Sequence, residues 1–201
     1  MKLFLRLWSY IVNPLFIPSL VSLWYFNFNY YSDPESVRLK LYLILIFTAA
    51  IPLLIYTMLK ILGWVESIHL SRTKERILPL CIYMVLLIML LRGAFTDGMH
   101  AALYYFFIGV LIASLVATLI TTLRYKISLH LMATGGVLGF LVMLSFTQGI
   151  SLLLPLAIMG IVSGLTATSR LSMQAHKGHE LIFGFSLGLL SQVLAFSYFV
   201  S

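Results

Sequence analysis

Long apolar runs separated by short polar links make up most of the chain. A transmembrane helix requires about 20 apolar residues, and seven runs are candidates for one. They lie near residues 10–31, 39–62, 77–92, 101–123, 128–147, 150–168 and 181–200. No run alternates between apolar and polar residues as a barrel strand does. The pattern therefore predicts an all-α fold: a polytopic transmembrane helical bundle of six or seven spans, forming a single domain over residues 1–201.

The first run leaves the number of spans open. It contains Pro14 and Pro18, which interrupt helical hydrogen bonding, so we expect it to be kinked or re-entrant. Its aromatic end, residues 24–31, is typical of a membrane interface. Because no small-x-small cleavage site closes the run, we expect a retained span and not a signal peptide.

Composition supports a membrane location. Hydrophobic residues make up 61% of the chain and charged residues only 9%, whereas a soluble domain has about 25% charged residues. The net charge of +7 does not indicate nucleic-acid binding, because the basic residues form no stripe with interleaved aromatic side chains. Membrane lipids with anionic headgroups are the expected partners. Cys81 is the single cysteine, which excludes an intrachain disulfide.

Charged side chains concentrate between the sixth and seventh runs. Residues 169–180 read Ser-Arg-Leu-Ser-Met-Gln-Ala-His-Lys-Gly-His-Glu, and an ionisable cluster between membrane spans is costly enough to indicate a function. If Glu180 begins the seventh helix, His176 lies one turn before it. The carboxylate can then bond one imidazole nitrogen and raise the basicity of the other, which suits a nucleophile or base.

Glycines recur at a four-residue spacing in the last three runs. The pairs are Gly135 and Gly139, Gly160 and Gly164, and Gly184 and Gly188. Such pairs allow helices to approach closely in lipid. They predict a tight bundle of the last three spans, in which the links 124–130 and 169–180 are neighbours.

Three polar links carry motifs in a fixed order. They are Ser-Arg-Thr-Lys-Glu-Arg-Ile-Leu-Pro at residues 71–79, Lys-Ile-Ser-Leu-His at residues 126–130, and Ser169-Arg170-x5-His176-x3-Glu180. This order resembles the type 2 phosphatidic acid phosphatase family, whose motifs run K-x6-R-P, P-S-G-H and S-R-x5-H-x3-D. The third motif matches in every spacing, with Glu for Asp. The resemblance covers about residues 69–190, and the spans of residues 10–62 precede it.

The first motif departs from the family pattern. Arg76 lies three residues before Pro79 instead of next to it, and His69 stands in the position of the family lysine. Arg72 or Lys74 could supply that positive charge instead.

The second motif keeps Ser128 and His130 but has Ile127 and Leu129 where the family has Pro and Gly. Glycine allows a backbone amide to approach a phosphate, and the side chain of Leu129 could block that approach. This departure predicts reduced activity, or a retained fold without catalysis.

The resemblance implies a metal-independent lipid phosphatase that acts through a phosphohistidine intermediate. The substrate would be a phospholipid or polyprenyl (di)phosphate headgroup, and no cofactor is required. His176 would attack phosphorus, Glu180 would orient it, and His130 would protonate the leaving oxygen. The residues implied to bind the phosphate oxygens are Arg170, Arg76, Lys74, Arg72, Ser128 and Lys126, with Ser169 beside them at the start of the third motif.

Two alternatives stay open. A zinc hydrolase would use His130, His176, His179 and Glu180, since imidazole and carboxylate suit zinc. The spacing of His176 and His179 fits no established zinc pattern, and this hypothesis gives the arginines no role. A non-catalytic protein that binds or transports anionic lipid would instead keep the bundle without its chemistry.

Two signals disagree about orientation. With seven crossings, the N-terminus and the three motif links share one face with ten of the thirteen Lys and Arg residues, which indicates a cytoplasmic face. The resemblance implies a site facing away from the cytoplasm, in a bacterial inner membrane. We favour the second orientation, because a phosphate site accounts for five of the ten basic residues. They are Arg72, Lys74, Arg76, Lys126 and Arg170.

Overall fold

The computed structural model describes residues 2–28, 33–64, 73–96 and 98–200, and within these ranges the chain is helical with no strand. The α-helices are α1 Lys2–Ile11, α2 Ile17–Phe28, α3 Pro34–Leu45, α4 Ile51–Ile61, α5 Ile77–Ala94, α6 Ala101–Thr122, α7 Leu129–Gln148, α8 Leu153–Ser172 and α9 Gly178–Val200. A π-helical turn, Ile46–Ala50, joins α3 to α4, and a 3₁₀ turn, Thr73–Arg76, precedes α5. The predicted all-α fold is confirmed.

Six helical segments in the described part of the chain are long and apolar enough to cross a membrane. They are Pro34–Ile61, Ile77–Ala94, Ala101–Thr122, Leu129–Gln148, Leu153–Ser172 and Gly178–Ser197. Large apolar side chains remain exposed along these segments, as lipid-facing positions require. The chain is an integral membrane protein, and its fold is a polytopic bundle.

The first predicted run is a broken helix. α1 has 10 residues and α2 has 12, so each is shorter than the roughly 20 residues of a continuous span. Pro14 lies in the break between them. The expected kink is confirmed, but the predicted start at residue 10 is wrong because the helix before the break begins at Lys2.

The two parts of the broken helix reach opposite ends of the bundle. In α1, the Leu5 carbonyl accepts a hydrogen bond from Ser169 at the end of α8. In α2, the Phe26 ring packs against His100, which lies immediately before α6. His100 lies at the start of α6, whereas α6 ends beside the link 124–130, which contacts the start of α9. Ser169 lies at that second end, so the two contacts are at opposite ends of the bundle.

Glycines bring α7 and α9 into close contact. A methyl group added at Gly135 or Gly139 would collide with backbone carbonyls of α9, and one added at Gly184 or Gly188 would collide with those of Ser128 and Met132. Two of the three predicted glycine pairs therefore pack helices together, as expected in lipid.

The third glycine pair does not follow that prediction. Gly160 and Gly164 are exposed on α8, and a methyl group added at either would meet no described atom within 4 Å. The prediction of tight packing through this pair is wrong because α8 packs against α1 and α7 through other positions.

Aromatic side chains fill the centre of the bundle. Phe106, Phe140 and Phe196 are fully buried and come from three different helices. The ring centroids of Phe106 and Phe140 lie 4.9 Å apart, and those of Phe140 and Phe196 lie 5.9 Å apart. Rings at these separations interact favourably, and this cluster fixes α6, α7 and α9 against one another.

Candidate functional site

The three motif links meet at one end of the bundle. The Arg76 guanidinium donates to the Ile127 carbonyl at 2.9 Å. The Lys126 ammonium donates to the Ala175 carbonyl at 2.8 Å. The backbone N–H of Ser128 donates to the Glu180 carbonyl at 3.1 Å. The sequence predicts that the links 66–79, 124–130 and 169–180 converge. The structure brings residues 73–79 of the first link together with the other two, and residues 66–72 lie outside the described residues.

A cavity of about 460 Å³ opens beside these links, within the range of small-molecule sites. Arg76, His130, Arg170 and His176 line it at the end where the links meet. The rest of its wall is mainly apolar and comes from the α1–α2 break and helices α4 to α7 and α9. Tyr10, Phe16 and Leu53 line the cavity and are exposed, so the cavity opens at the side of the bundle where the α1–α2 break and α4 lie.

A proline shapes one wall of this cavity. Pro52 lacks a backbone N–H and its ring displaces the carbonyl of the preceding turn. The π-helical turn Ile46–Ala50 lies immediately before it. Pro52, Leu53 and Tyr56 all line the cavity, so this irregular turn faces the candidate site, as π-helical turns often do.

His176 is fixed by Glu180 as the spacing predicted. Its Nδ1 lies 2.6 Å from Glu180 Oε2, in an i, i+4 pair. A carboxylate can only accept, so Nδ1 carries the hydrogen and Nε2 holds the lone pair of the neutral ring. Because the ring lines the cavity, Nε2 is the nitrogen available to a ligand.

The surroundings of His176 keep it neutral at physiological pH. Its pKa is lowered from 6.5 to about 4, and burial is the largest cause. The positive charges of Arg76, Lys126 and Arg170 contribute to the lowering, and the bond to Glu180 opposes it. A neutral imidazole with a carboxylate partner has the form that a nucleophilic histidine requires.

Positive charge is in excess around the cavity. Arg76 and Arg170 are only 3% and 2% exposed. Burial lowers the pKa of Arg76 and of Lys126, and Arg76 also lowers the pKa of Lys126. Glu180 opposes both shifts. Arg76 and Arg170 both lower the pKa of Lys126, so these cations lie close enough to repel one another. An anionic ligand beside them would offset that repulsion.

Arg170 has a spare donor in this site. Its Nη1 donates to the Ser9 hydroxyl at 2.7 Å. Its Nε is buried and has no hydrogen-bond partner in the described part of the chain. A buried donor left unpaired costs about 1–3 kcal/mol, and more when it is charged. A phosphate oxygen in the cavity would relieve this cost.

Sequence reasoning missed the contribution of α1. The Ser9 carbonyl faces His130 Nε2 at 3.2 Å, and its hydroxyl accepts from Arg170. Since a carbonyl can only accept, Nε2 of His130 carries a hydrogen. Trp8 anchors the helix by donating to Thr166 Oγ1 at 3.1 Å. No spacing within the sequence links Ser9 to residues more than a hundred positions away.

Five of the predicted site residues that the structure describes do not line the cavity. Lys126 and Glu180 lie beside it, where they bond the Ala175 carbonyl and His176. The other three, Ser128, Ser169 and His179, are directed elsewhere. Ser128 is fully buried, and its hydroxyl accepts from the Leu131 N–H as the cap of α7, so the implied contact with phosphate is not supported. Ser169 is fully buried and donates to Leu5. His179 is exposed on α9. Each has a different position because local helix geometry directs its side chain away.

Other predictions fall on residues that the structure does not describe. His69 and Arg72 lie outside the described residues, and the side chain of Lys74 is likewise not described. Leu129, the departure from the family glycine, lines the cavity beside His130.

The ligand set of the zinc hypothesis does not assemble. His130 and His176 line the cavity, but His179 is exposed. Within the described ranges, no group of three or more His, Cys, Asp or Glu side chains is placed to hold one metal ion. The geometry favours an anion site over a zinc site.

Comparison with known proteins identifies no relative of this chain. No protein-family model matches the chain, and neither the curated proteins nor the solved structures contain a match.

Proposed function

We propose that the protein is a lipid phosphate phosphatase that works without a metal ion through a phosphohistidine intermediate. One observation carries the proposal: the same cavity is lined by two buried arginines and two histidines, and one of these histidines is held by a carboxylate. This arrangement matches the roles implied by the resemblance to type 2 phosphatidic acid phosphatases.

The proposed reaction has two steps. Nε2 of His176 attacks phosphorus while Arg76 and Arg170 neutralise the phosphate oxygens. The bond between phosphorus and the leaving oxygen breaks. His130 in its imidazolium form gives that oxygen the Nε2 proton that otherwise bonds the Ser9 carbonyl, and becomes neutral. Water then attacks the phosphohistidine and gives a proton to His130, which releases inorganic phosphate and restores both histidines.

The lateral opening supports a lipid as substrate. A lipid phosphate keeps its chains in the bilayer, so its headgroup must reach the site from the side of the bundle. Tyr10, Phe16 and Leu53 mark such an opening. We further propose a bacterial inner membrane as the location, with the site facing away from the cytoplasm.

Two contacts favour a second candidate function, the binding or transport of anionic lipid without catalysis. Leu129 lines the cavity where the family has glycine. Ser9 also bonds both His130 and Arg170. Either feature could slow the chemistry while leaving the anion site intact.

A phosphate-release assay separates the candidates. Purified protein in detergent is given phosphatidate, phosphatidylglycerol phosphate, a polyprenyl diphosphate and a lipid A phosphate, each with and without a chelator. Phosphatase function predicts release from at least one lipid, unaffected by the chelator. Release from none of the four supports the lipid-binding candidate, and release that a chelator abolishes and zinc restores contradicts the proposed mechanism.

A further inference from the structure

Gln192 is a polar side chain deep in the apolar part of the cavity. It is 1% exposed and lines the cavity wall. Its Nε2 donates to the Phe106 carbonyl at 3.1 Å. Its Oε1 is buried and has no hydrogen-bond partner among the described residues. A buried carbonyl without a partner is destabilising, so helix packing alone does not explain this amide.

Glycines on two neighbouring helices make room for this amide. A methyl group added at Gly109 of α6 would overlap the Gln192 amide, and one added at Gly139 of α7 would press on the Gln192 Cβ. The bundle is therefore built to hold an amide at this point. The bond to Phe106 fixes which end of the amide is the carbonyl, because only Nε2 can donate to a carbonyl oxygen.

The same cavity extends from the end lined by Arg76, Arg170 and His176, where the phosphate is proposed to bind, to Gln192. Gln192 lies beside Gly136 and Gly139 of α7. These glycines follow His130 by six and nine residues, which at a rise of about 1.5 Å per residue is roughly 9–14 Å. A chain attached to a phosphate near His130 would pass Gln192 within its own length.

We infer that the cavity binds an amphiphilic phosphate whose chain carries a hydrogen-bond donor, a hydroxyl or an amide N–H, at the depth of Gln192. The inference rests on the proposed function only for the position of the phosphate. The donor satisfies Oε1, and the apolar wall contacts the remaining chain. Gln192 would thereby select among lipids that present the same headgroup.

The test uses dodecyl phosphonate, which cannot be hydrolysed, and three hydroxydodecyl phosphonates. These three are isomers of one another, with the hydroxyl near the headgroup, at mid-chain or at the chain end. Binding to the full-length protein in detergent is measured by competition with radiolabelled dodecyl phosphonate. We expect the mid-chain isomer to bind roughly three- to tenfold more tightly than the plain chain, the usual gain from one net hydrogen bond. The other two isomers should gain nothing.

Two variants identify the group responsible. Gln192→Met should bind the plain chain as the wild type does and should lose the preference for the mid-chain hydroxyl. Ser114→Ala is the matched control, because Ser114 lines the same cavity and its hydroxyl donates to the Val110 carbonyl. This variant should keep the preference.

The outcomes separate this inference from the proposed function. Equal binding of the plain chain and all three isomers to the wild type would overturn the inference and leave the phosphate site standing; this comparison does not need a folded variant. A preference retained in Gln192→Met would also overturn it. A lost preference, in a protein that releases no phosphate from any lipid, would support the inference and contradict the phosphatase.

Discussion

His176 is a titratable residue whose charge is set by its surroundings. Its pKa is lowered from 6.5 to about 4: burial is the largest cause, three nearby cations contribute, and the bond to Glu180 opposes the shift. Between about pH 4 and pH 6.5, His176 is protonated in the unfolded chain and neutral in the folded chain. The contribution of His176 to the free energy of unfolding is therefore complete above about pH 6.5 and is lost as the pH falls toward about 4.

We expect the melting temperature of the protein in detergent to fall as the pH is lowered through this range. His176→Asn should lose this part of the decline, because its amide can donate to Glu180 but does not titrate. Differential scanning fluorimetry of both proteins across pH measures the effect. Identical pH profiles would show that His176 is not the group protonated on unfolding.

His130 is expected to act on the leaving oxygen. His130→Ala removes general acid help, which is commonly worth about 10²–10⁴-fold. The loss should be large for an alkyl phosphate, whose leaving oxygen needs a proton, and small for nitrophenyl phosphate, whose leaving group is stable as an anion. Steady-state rates with both substrates provide the comparison. Equal losses for the two substrates would assign His130 to binding or structure instead.

Local geometry explains which site residues the sequence could predict. The pair His176 and Glu180 depends on a four-residue spacing across the start of α9, and the structure confirms the contact. The contact of Ser9 with Arg170 joins positions 161 residues apart, and no periodicity encodes it. Only the resemblance implies that Ser128 binds phosphate, whereas its position immediately before α7 makes it the cap of that helix.

At the scale of helices, the glycine pairs of α7 and α9 decide how closely the site links approach. Gly188 lies against the Met132 carbonyl, whereas Gly160 has no described atom within 4 Å of an added methyl group. Sequence spacing predicted both pairs equally, because it cannot show which helix face meets a neighbour. The tertiary arrangement of α8 determines the difference.

Matched alanine substitutions test this contrast. Gly188→Ala should lower the melting temperature, because the new methyl group would force α7 and α9 apart. Gly160→Ala should leave it unchanged or raise it slightly, since alanine is favoured over glycine in a helix by roughly 0.5–1 kcal/mol. Thermal unfolding in detergent compares them. Similar effects of the two substitutions would contradict the assigned packing.

The broken first run shows a further limit of pattern reasoning. Pro14 and Pro18 predicted an interruption, and it occurs between α1 and α2. Neither proline indicates that α1 packs along the end of α8 or that Ser9 reaches the site. Those contacts depend on how the helices are arranged in three dimensions.

At the scale of the whole molecule, even numbers of crossings place the motif links at one end of the bundle. Alternating apolar runs and links are sufficient to predict this arrangement, and the hydrogen bonds between the links confirm it. The cavity itself could not be predicted, because its wall combines the α1–α2 break with several separate helices.

Orientation in the membrane is a separate prediction. Lys177 is exposed in the link before α9, so Lys177→Cys, in a chain with Cys81 replaced, reports on the site face. We expect an impermeant thiol reagent to label it in intact bacterial cells, because the proposed site faces away from the cytoplasm. Labelling only after lysis would place the site on the cytoplasmic face instead.

The central claim is that His176 is the nucleophile of a lipid phosphatase. The most direct measurement uses a lipid phosphate that the wild type hydrolyses. Phosphate release from this lipid, and binding of the same lipid, are measured for the wild type and for His176→Ala. The account predicts that His176→Ala releases no measurable phosphate yet still binds the lipid, because Arg76 and Arg170 remain in the cavity. A His176→Ala protein that retains most of the wild-type activity would contradict the account.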